Sequence, residues 1–234
     1  MTLWFVTPAW KRYELTALCL DQRLDVIRTL AAKGIEARCV VVADDENLDL
    51  ARERGFDTVE APNVVSDKFN AGMEFAGRNG AAWIVPIGSD SWIDPAYFLG
   101  LHSNVTRTSQ FYCHVTADKL GEARVRRLGG AGPYVLHRSM LEQVGFRPAR
   151  PGLMRHVDAS TLAGLAKPPE FRVLNLHPYQ YVGFRVEPYI TSYGSLMRAW
   201  GVREHADPWA VLARHYPAGL VERARAALTM AAAA

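Results

Sequence analysis

Residues 37–45 read A-R-C-V-V-V-A-D-D, and this stretch decides the fold. Its three consecutive valines, Val40–Val42, lie in an apolar run of the kind found in strands that are buried on both faces of a parallel sheet. Two aspartates follow the run directly, so the predicted strand is Ala37–Ala43. The segments on either side show what kind of sheet holds it.

The chain around this strand alternates between strand and helix patterns. Leu3–Thr7 is a short apolar run stopped by Pro8, and apolar residues then recur at steps of three and four from Tyr13 to Ala31. Further along come a short helix over Glu46–Arg54, a strand over Asp57–Ala61, a helix face formed by Phe69, Gly72, Met73 and Ala76, and a strand over Ala82–Ile87. This alternation predicts an α/β fold with a mixed, mainly parallel central sheet flanked by helices.

The second half of the chain loses this alternation. A glycine-rich loop at 129–132 interrupts it, and the end of the chain is rich in alanine and arginine. The predicted elements are strands over Gln110–Thr116, Ala123–Leu128, Phe171–Leu176 and Val182–Glu187, with helices over Ser139–Val144 and Trp209–Met230.

Composition excludes several classes of protein. The 234 residues are 49% hydrophobic and 22% charged, which argues against wholesale disorder and against a fibrous repeat. A net charge of +3 is too small to indicate a nucleic-acid binder by itself. No apolar run approaches the roughly 18 residues that span a bilayer, and no signal peptide is visible. Because the 3 cysteines are widely spaced and set among apolar residues, we expect reduced thiols and a cytoplasmic protein.

Polar residues collect near the ends of the predicted strands. In open α/β sheets, ligands bind beyond the carboxyl ends of the strands. The segments 7–12, 44–45, 67–72 and 88–95 bring basic, amide and acidic side chains to that edge. No G-x-G-x-x-G follows the first strand, so a dinucleotide site is weakly supported, and the absence of G-x-x-x-x-G-K-S/T excludes a P-loop.

Three segments, taken in order, resemble a known family. They read V-V-A-D-D at 41–45, K-F-N-A-G at 68–72 and V-P-I-G-S-D-S-W-I-D-P at 85–95. Together they are similar to glycosyltransferases of the GT-A fold, nearest to the family 2 type, over residues 3–160. The resemblance implies one GT-A-like catalytic domain over residues 1–205, with a nucleotide-binding part at 1–100 and an acceptor part at 101–205. A C-terminal helical tail over 206–234 would follow.

The resemblance implies a site for the nucleoside. In that family a Thr-Pro-type loop and an aspartate after the second strand hold the nucleobase, which places Thr7, Pro8 and Asp44 there. A K/R-x-N-x-G segment lies near the diphosphate, which places Lys68 and Asn70 beside it. The alternatives are that Asp44 and Asn70 cap helices and that Lys68 is a solvated surface lysine.

A metal site is implied after the fourth strand, where the family carries an Asp-x-Asp motif that binds a divalent cation and the sugar-nucleotide. Ser89 and Asp90 match its last two positions, whereas Gly88 stands where the first aspartate is expected. We expect Asp90 to hold Mg²⁺ or Mn²⁺ against the donor diphosphate, with His177 as a further candidate ligand. Arg12, which follows the first strand, is a candidate phosphate contact, and the alternative is an exposed arginine at the start of the next helix. A turn carboxylate and a structural histidine are the alternatives for Asp90 and His177.

The resemblance also implies a general base. Asp158, in R-H-V-D at 155–158, matches the carboxylate that deprotonates the acceptor hydroxyl in inverting members. Its alternative role is to cap a helix predicted over Ala159–Leu165.

The expected function is therefore metal-assisted transfer of a hexosyl or pentosyl group from a nucleotide-diphosphate donor, with UDP-sugars as candidates, to an acceptor hydroxyl. The acceptor is left open among polysaccharide, lipid, protein and modified DNA, and a homo-oligomer is compatible with the sequence. One alternative is a sugar-phosphate nucleotidyltransferase, although that chemistry normally uses a glycine-rich loop, and Thr7–Arg12 contains no glycine. The other is a non-catalytic module that binds nucleotide-sugars or nucleic acid.

Overall fold

The computed structural model describes residues 2–99, 106–109, 111–116, 123–127, 134–154, 157–165, 171–174, 181–185, 203–205 and 207–233. The strands are β1 (Thr2–Pro8), β2 (Glu36–Ala43), β3 (Asp57–Glu60), β4 (Trp83–Pro86), β5 (Ser91–Ile93), β6 (Thr106–Ser109), β7 (Phe111–Thr116), β8 (Ala123–Arg127), β9 (Leu136–His137), β10 (Phe171–Leu174), β11 (Tyr181–Arg185) and β12 (Arg203–His205). The helices are α1 (Tyr13–Ala31), α2 (Asn47–Glu53), α3 (Val65–Arg78), α4 (Arg138–Glu142), α5 (Val157–Gly164), α6 (Pro208–Leu212) and α7 (Ala218–Ala233), and a 3₁₀ turn spans Pro95–Phe98.

The central sheet has five strands in the order β3-β2-β1-β4-β9. The first four are mutually parallel, and β9 pairs antiparallel with β4. The chain runs outward from β1 to β3 and then returns to place β4 on the other side of β1. Strand order therefore reverses between β1 and β4, and such a switch point opens a crevice at the carboxyl edge of the sheet. The predicted mixed, mainly parallel α/β fold is confirmed.

Alternation along β1 sends side chains to both faces of this sheet. Leu3 and Phe5 pack against residues of α1 and α2, whereas Trp4 and Val6 pack against residues of α3 and α4. The contact with α3 is close, because a Cβ added at Gly72 would lie 2.4 Å from Val6 Cγ1. The sheet is thus covered by helices on both sides, which explains its nearly continuous apolar strands.

A second five-stranded sheet follows, in the order β12-β8-β7-β11-β5, and β6 pairs with β10 in a two-stranded sheet. The chain passes from β4 to β5 through residues 87–90, so this short turn joins the two larger sheets. Trp92 of β5 is buried and packs edge-on against Phe184 of β11. The turn at the carboxyl end of β4 is therefore held from both sides.

The C-terminal helices share this second core. Trp209, Leu212 and Leu228 are buried in the same cluster as Leu15 and Leu18 of α1. The segment that the sequence suggests is a tail is thus packed against α1 along its described length.

The end of the chain, predicted to be helical over Trp209–Met230, forms two helices, α6 and α7, on either side of Pro217. Proline lacks an amide hydrogen and disfavours the helical conformation in the residue before it, so a break at Tyr216 is expected physically. In the described ranges, no helix combines the length and the apolar character that a bilayer crossing requires.

Candidate functional site

The candidate site lies at the carboxyl edge of the central sheet, where the ends of β2, β1 and β4 stand side by side. Asp44 follows β2, residues 9–12 follow β1, and residues 87–90 follow β4. Lys68 enters this edge from the first turn of α3. Two ion pairs organise it: the Asp44–Lys68 pair and the Arg12–Asp90 pair.

The Asp44–Lys68 pair is the more buried of the two. The Lys68 ammonium donates to Asp44 Oδ1 at 2.7 Å, to the Ala9 carbonyl at 2.8 Å and to Asn63 Oδ1 at 3.3 Å. An ammonium has three donors, so all of those on Lys68 are used within the protein. Lys68 therefore joins the ends of β1 and β2 and fixes the Asp44 carboxylate, and it offers no further hydrogen to a ligand in this arrangement.

Asp44 itself keeps one face toward solvent. Its side chain is 32% exposed, and within the described residues no donor bonds its second oxygen, Oδ2. One oxygen is thus held by a buried cation while the other is available to an N–H or O–H donor from a ligand. The pKa of the nearby Tyr13 phenol is raised. The largest cause is desolvation, and the negative charges of Asp45, Glu46 and Asp44 add to it.

The loop after β1 adopts an unusual backbone. Lys11 and Arg12 both have φ of 51°, a left-handed conformation that costs energy for residues other than glycine. The next loop stabilises it: the Lys11 amide donates to Asp45 Oδ2 at 2.8 Å, and Asn47 Nδ2 donates to the Lys11 carbonyl at 3.3 Å. Asp45 Oδ1 also accepts from the Asn47 amide at 3.0 Å, so Asp45 is the aspartate that caps the start of α2.

This backbone conformation accompanies the Arg12–Asp90 contact. Arg12 Nη1 lies 3.0 Å from Asp90 Oδ2, and the two side chains are 22% and 15% exposed. The other carboxylate oxygen of Asp90 accepts from the Ser91 hydroxyl at 3.1 Å. Both groups belong to the ends of β1 and β4, so the pair bridges the switch point of the sheet.

Gly88 makes room for the Asp90 carboxylate. A Cβ built at residue 88 would lie 2.6 Å from Asp90 Oδ1, closer than non-bonded atoms approach. The missing first aspartate of the expected motif therefore has a steric reason in this arrangement. Ser89 is buried within the same turn.

Three predicted donor residues have contacts inside the protein. Asn70 is buried and exchanges two hydrogen bonds with the backbone of Ala149, at 2.7 and 3.0 Å, so it fastens the segment after α4 to α3. Thr7 is buried, with its hydroxyl 3.8 Å from Cys39 Sγ. Pro8 closes β1 and is partly buried. Their predicted contacts with a donor stay predictions.

The predicted base and the second metal ligand lie outside this set. Asp158 is the second residue of α5, and its side chain is outside the described residues. His177 also falls outside the described ranges. Both roles stay predictions.

The donor set in the described part of the chain does not fit a divalent cation. Hard cations such as Mg²⁺ and Ca²⁺ take about six oxygen ligands and need carboxylates that are free to bind them. In the 88–90 turn the carboxylate is that of Asp90, and both of its oxygens already accept hydrogen bonds, from Arg12 and from Ser91. No group of three or more His, Cys, Asp or Glu side chains gathers among the residues that the structure describes.

Sequence reasoning missed two further residues. Asn63 supplies the third partner of Lys68, and nothing in its loop context signalled this role. Arg23 is a fully buried guanidinium on α1 behind β5, where it donates to the Ser91 carbonyl at 3.2 Å. A signal for Arg23 was present, since it lies three residues after Leu20 on the apolar face of the helix.

Comparison with known proteins supports the fold. No protein-family profile and no curated protein matches the chain. Among solved structures, the crystal structure of S. aureus TarS 1-349 in complex with UDP gives a TM-score of 0.56 at 14% identity, covering 80% of this chain and 61% of that one. The same TarS fragment without a named ligand gives 0.54 at 12% identity, covering 79% and 60%. The UDP-GlcNAc complex gives 0.53 at 12% identity, covering 80% and 59%.

These neighbours are GT-A-type glycosyltransferases, so the fold of this chain is GT-A-like, as the sequence motifs predict. The chain spans about three fifths of the length of these TarS chains. At 12–14% identity the likeness concerns the fold, and the activity has to be argued from the site.

Proposed function

We propose that this protein is a glycosyltransferase that uses a nucleoside-diphosphate sugar as its donor. The observation that carries the proposal is the Asp44–Lys68 pair. It holds a partly exposed carboxylate at the carboxyl edge of a parallel sheet, beside the switch point where ligands of such sheets bind. The TarS structures of the same fold contain UDP or UDP-GlcNAc, which supports a uridine nucleotide here.

Asp44 would recognise the nucleoside. Its Oδ1 accepts from Lys68 and its side chain is 32% exposed, which leaves Oδ2 to a ligand. A carboxylate oxygen held in this way accepts an N–H from a base or an O–H from a ribose, and the preorganised geometry lowers the entropy lost on binding. Lys68 is then a positioning residue that acts through Asp44.

In the proposed transfer of the sugar, a carboxylate of this protein acts as the general base. The acceptor oxygen attacks the anomeric carbon, and the bond from that carbon to the phosphate oxygen breaks. The bonding electron pair leaves with the nucleoside diphosphate, and the acceptor proton passes to the base. Asp158, at the start of α5, is our proposed base, and a single displacement of this kind inverts the anomeric carbon.

Calorimetric titration with UDP, CDP and GDP tests the donor site. We expect UDP to bind and Asp44→Asn to weaken it about tenfold, because the variant loses a charge-assisted hydrogen bond. Asp49→Asn is the matched control, since that carboxylate is 71% exposed on α2, and its affinity should equal that of the unchanged protein. If none of the three nucleotides binds, the proposal is wrong.

An assay of UDP release from a panel of UDP-sugars separates an enzyme from a binding module. A transferase releases UDP by slow hydrolysis even without an acceptor, whereas a binding module releases none. Asp158→Asn should abolish transfer to an acceptor while UDP binds as before. Full transfer by this variant would remove Asp158 from the mechanism.

A further inference from the structure

The charge at the switch point of the sheet comes from an arginine. Departure of a nucleoside diphosphate leaves negative charge at this edge, and that charge needs a cation opposite it. The sequence motif predicts that this cation is a divalent metal held by Asp90. In the structure, a guanidinium lies against that carboxylate, with Arg12 Nη1 3.0 Å from Asp90 Oδ2.

The 88–90 turn is built for this pair. A Cβ placed at residue 88 would lie 2.6 Å from Asp90 Oδ1, so Gly88 leaves room for the Asp90 carboxylate in its present position. The Ser91 hydroxyl bonds the same oxygen. Adding the first acid of a metal-binding motif would therefore displace the carboxylate that holds Arg12.

Arg12 also has the exposure and the donors to bind an anion. Its side chain is 22% exposed, so it borders solvent while one edge is anchored. A guanidinium carries five N–H donors in a fork that matches phosphate oxygens, and within the described residues the bond to Asp90 uses one of them.

The backbone stores energy to keep Arg12 in place. Two consecutive left-handed residues cost on the order of 1 kcal/mol or more each. The loop is held in that shape by the Lys11 amide, which donates to Asp45, and by Asn47, which donates to the Lys11 carbonyl. The Arg12–Asp90 pair is mostly buried, so desolvation offsets much of its Coulomb attraction, and the pair does not by itself account for this strain. The strain at Lys11 and Arg12 is accounted for if this loop places the Arg12 guanidinium where a ligand binds.

We propose that Arg12, anchored by Asp90, supplies the positive charge that meets the donor diphosphate, and that the nucleotide binds without a divalent cation. This inference rests on the proposed function, since it assumes a nucleoside diphosphate at this edge. It assigns Asp90 the role of orienting an arginine.

The first experiment needs no variant. UDP is titrated into the full chain by calorimetry, once with EDTA and once with about 1 mM Mn²⁺, which matches the dissociation constant of a weak divalent-cation site. Mn²⁺ alone is titrated separately. We expect the two UDP dissociation constants to agree within about twofold and Mn²⁺ alone to give no stoichiometric binding. UDP binding that appears only with Mn²⁺, or tightens more than about tenfold with it, overturns the inference and leaves the proposed function standing. Absence of UDP binding in both buffers overturns both.

The second experiment tests Arg12 directly. Arg12→Met should weaken UDP binding about tenfold or more in EDTA, because a charge-assisted contact with phosphate is lost. Uridine, which lacks phosphate, should bind both forms equally. Arg28→Met is the control, since Arg28 is a 73% exposed arginine on α1, the helix that follows Arg12, and it pairs with Asp25. Equal UDP affinity in Arg12→Met and the unchanged protein, with both folded by circular dichroism, would refute the assignment.

Discussion

Two fully buried cations lie on opposite faces of the central sheet, and their surroundings differ sharply. On the α3 face, Lys68 uses all three of its donors, and one partner is the carboxylate of Asp44. On the α1 face, Arg23 donates to the Ser91 carbonyl, and among the residues that the structure describes its Nε and Nη1 atoms have no hydrogen-bond partner. Among the described residues, every donor of Lys68 therefore has an acceptor, whereas Arg23 has donor atoms without one.

The difference shows that one buried charge in this fold is compensated by its partners and the other is not. Burying a charge is costly unless it is paired and hydrogen-bonded. Lys68 meets that condition and, in doing so, fixes a carboxylate at the candidate site. Arg23 instead lies 4.8 Å above the Phe5 ring, which offers a weaker cation–π contact, and burial lowers the pKa of its guanidinium. Its single bond to Ser91 braces the residue that follows Asp90.

Removing Lys68 should have the largest effect. Lys68→Met leaves Asp44, the Ala9 carbonyl and Asn63 without their shared donor, so we expect the free energy of unfolding to fall by about 3 kcal/mol. We also expect UDP binding to weaken, because Asp44 loses its orientation. Urea denaturation measures the first effect and calorimetry the second. Lys33→Met, at an exposed position after α1, should change stability by less than about 0.5 kcal/mol. A loss below about 1 kcal/mol in Lys68→Met would mean that the two buried cations are equivalent after all.

Crowding the helix that carries Lys68 comes next. A Cβ at Gly72 would lie 2.4 Å from Val6 Cγ1 and 2.9 Å from Val42 Cγ2, so Gly72→Ala forces α3 away from the sheet. Overpacking of this kind costs about 2 kcal/mol, and the shift should also weaken the Asp44–Lys68 contact. Thermal denaturation and UDP titration together check both. Gly219→Ala is the matched control, because a Cβ there meets nothing within 4 Å, and it should be neutral or slightly stabilising.

Replacing Arg23 should have a smaller effect of opposite sign. Methionine fills a similar volume without a charge and removes the two unpaired donors, so Arg23→Met should raise the free energy of unfolding by about 1 kcal/mol. Urea denaturation at neutral pH measures it. A loss greater than about 2 kcal/mol would show that the Ser91 and Phe5 contacts outweigh the cost of burial, and the contrast between the two cations would then disappear.

The sequence predicts the central sheet and its helices better than it predicts the contacts of the candidate site. The valine run at 40–42 and the alternation around it identify the central sheet, because a buried parallel strand leaves a strong apolar signal. The three-residue strand β5 leaves no periodic signal that can be recognised. The predicted pair Lys68 and Asp44 does meet at one edge, since both lie next to strand ends whose relative positions the fold determines.

Contacts between distant segments could not be predicted in the same way. Arg12 and Asp90 are 78 residues apart, and their contact depends on two left-handed residues that no propensity favours. The pairing of Asn70 with Ala149 spans 79 residues and depends on how the segment after α4 crosses α3. Side-chain partners of this kind are set by tertiary packing, so residue type and local spacing indicate only that polar groups gather at the edge.

The last effect is absent at neutral pH, appears only in alkali and concerns the buried thiol of Cys39. Burial raises the pKa of Cys39 to about 11, while the positive charge of Arg23 and the hydrogen bond with Thr7 act in the opposite direction. An unfolded thiol titrates near pH 8.5, so between these values the folded state holds a proton that the unfolded state has lost. Stability from this group is therefore complete below about pH 8.5 and is lost as the pH rises toward about 11, with a slope of at most about 1.4 kcal/mol per pH unit. Comparing Cys39→Ala with the unchanged protein in urea between those pH values isolates the slope. In Arg23→Met the Cys39 pKa should rise further, because the cation that favours the thiolate is gone. The loss of stability in that variant should therefore extend to higher pH than in the unchanged protein, and a loss that ends at the same pH in both would show that Arg23 does not act on Cys39.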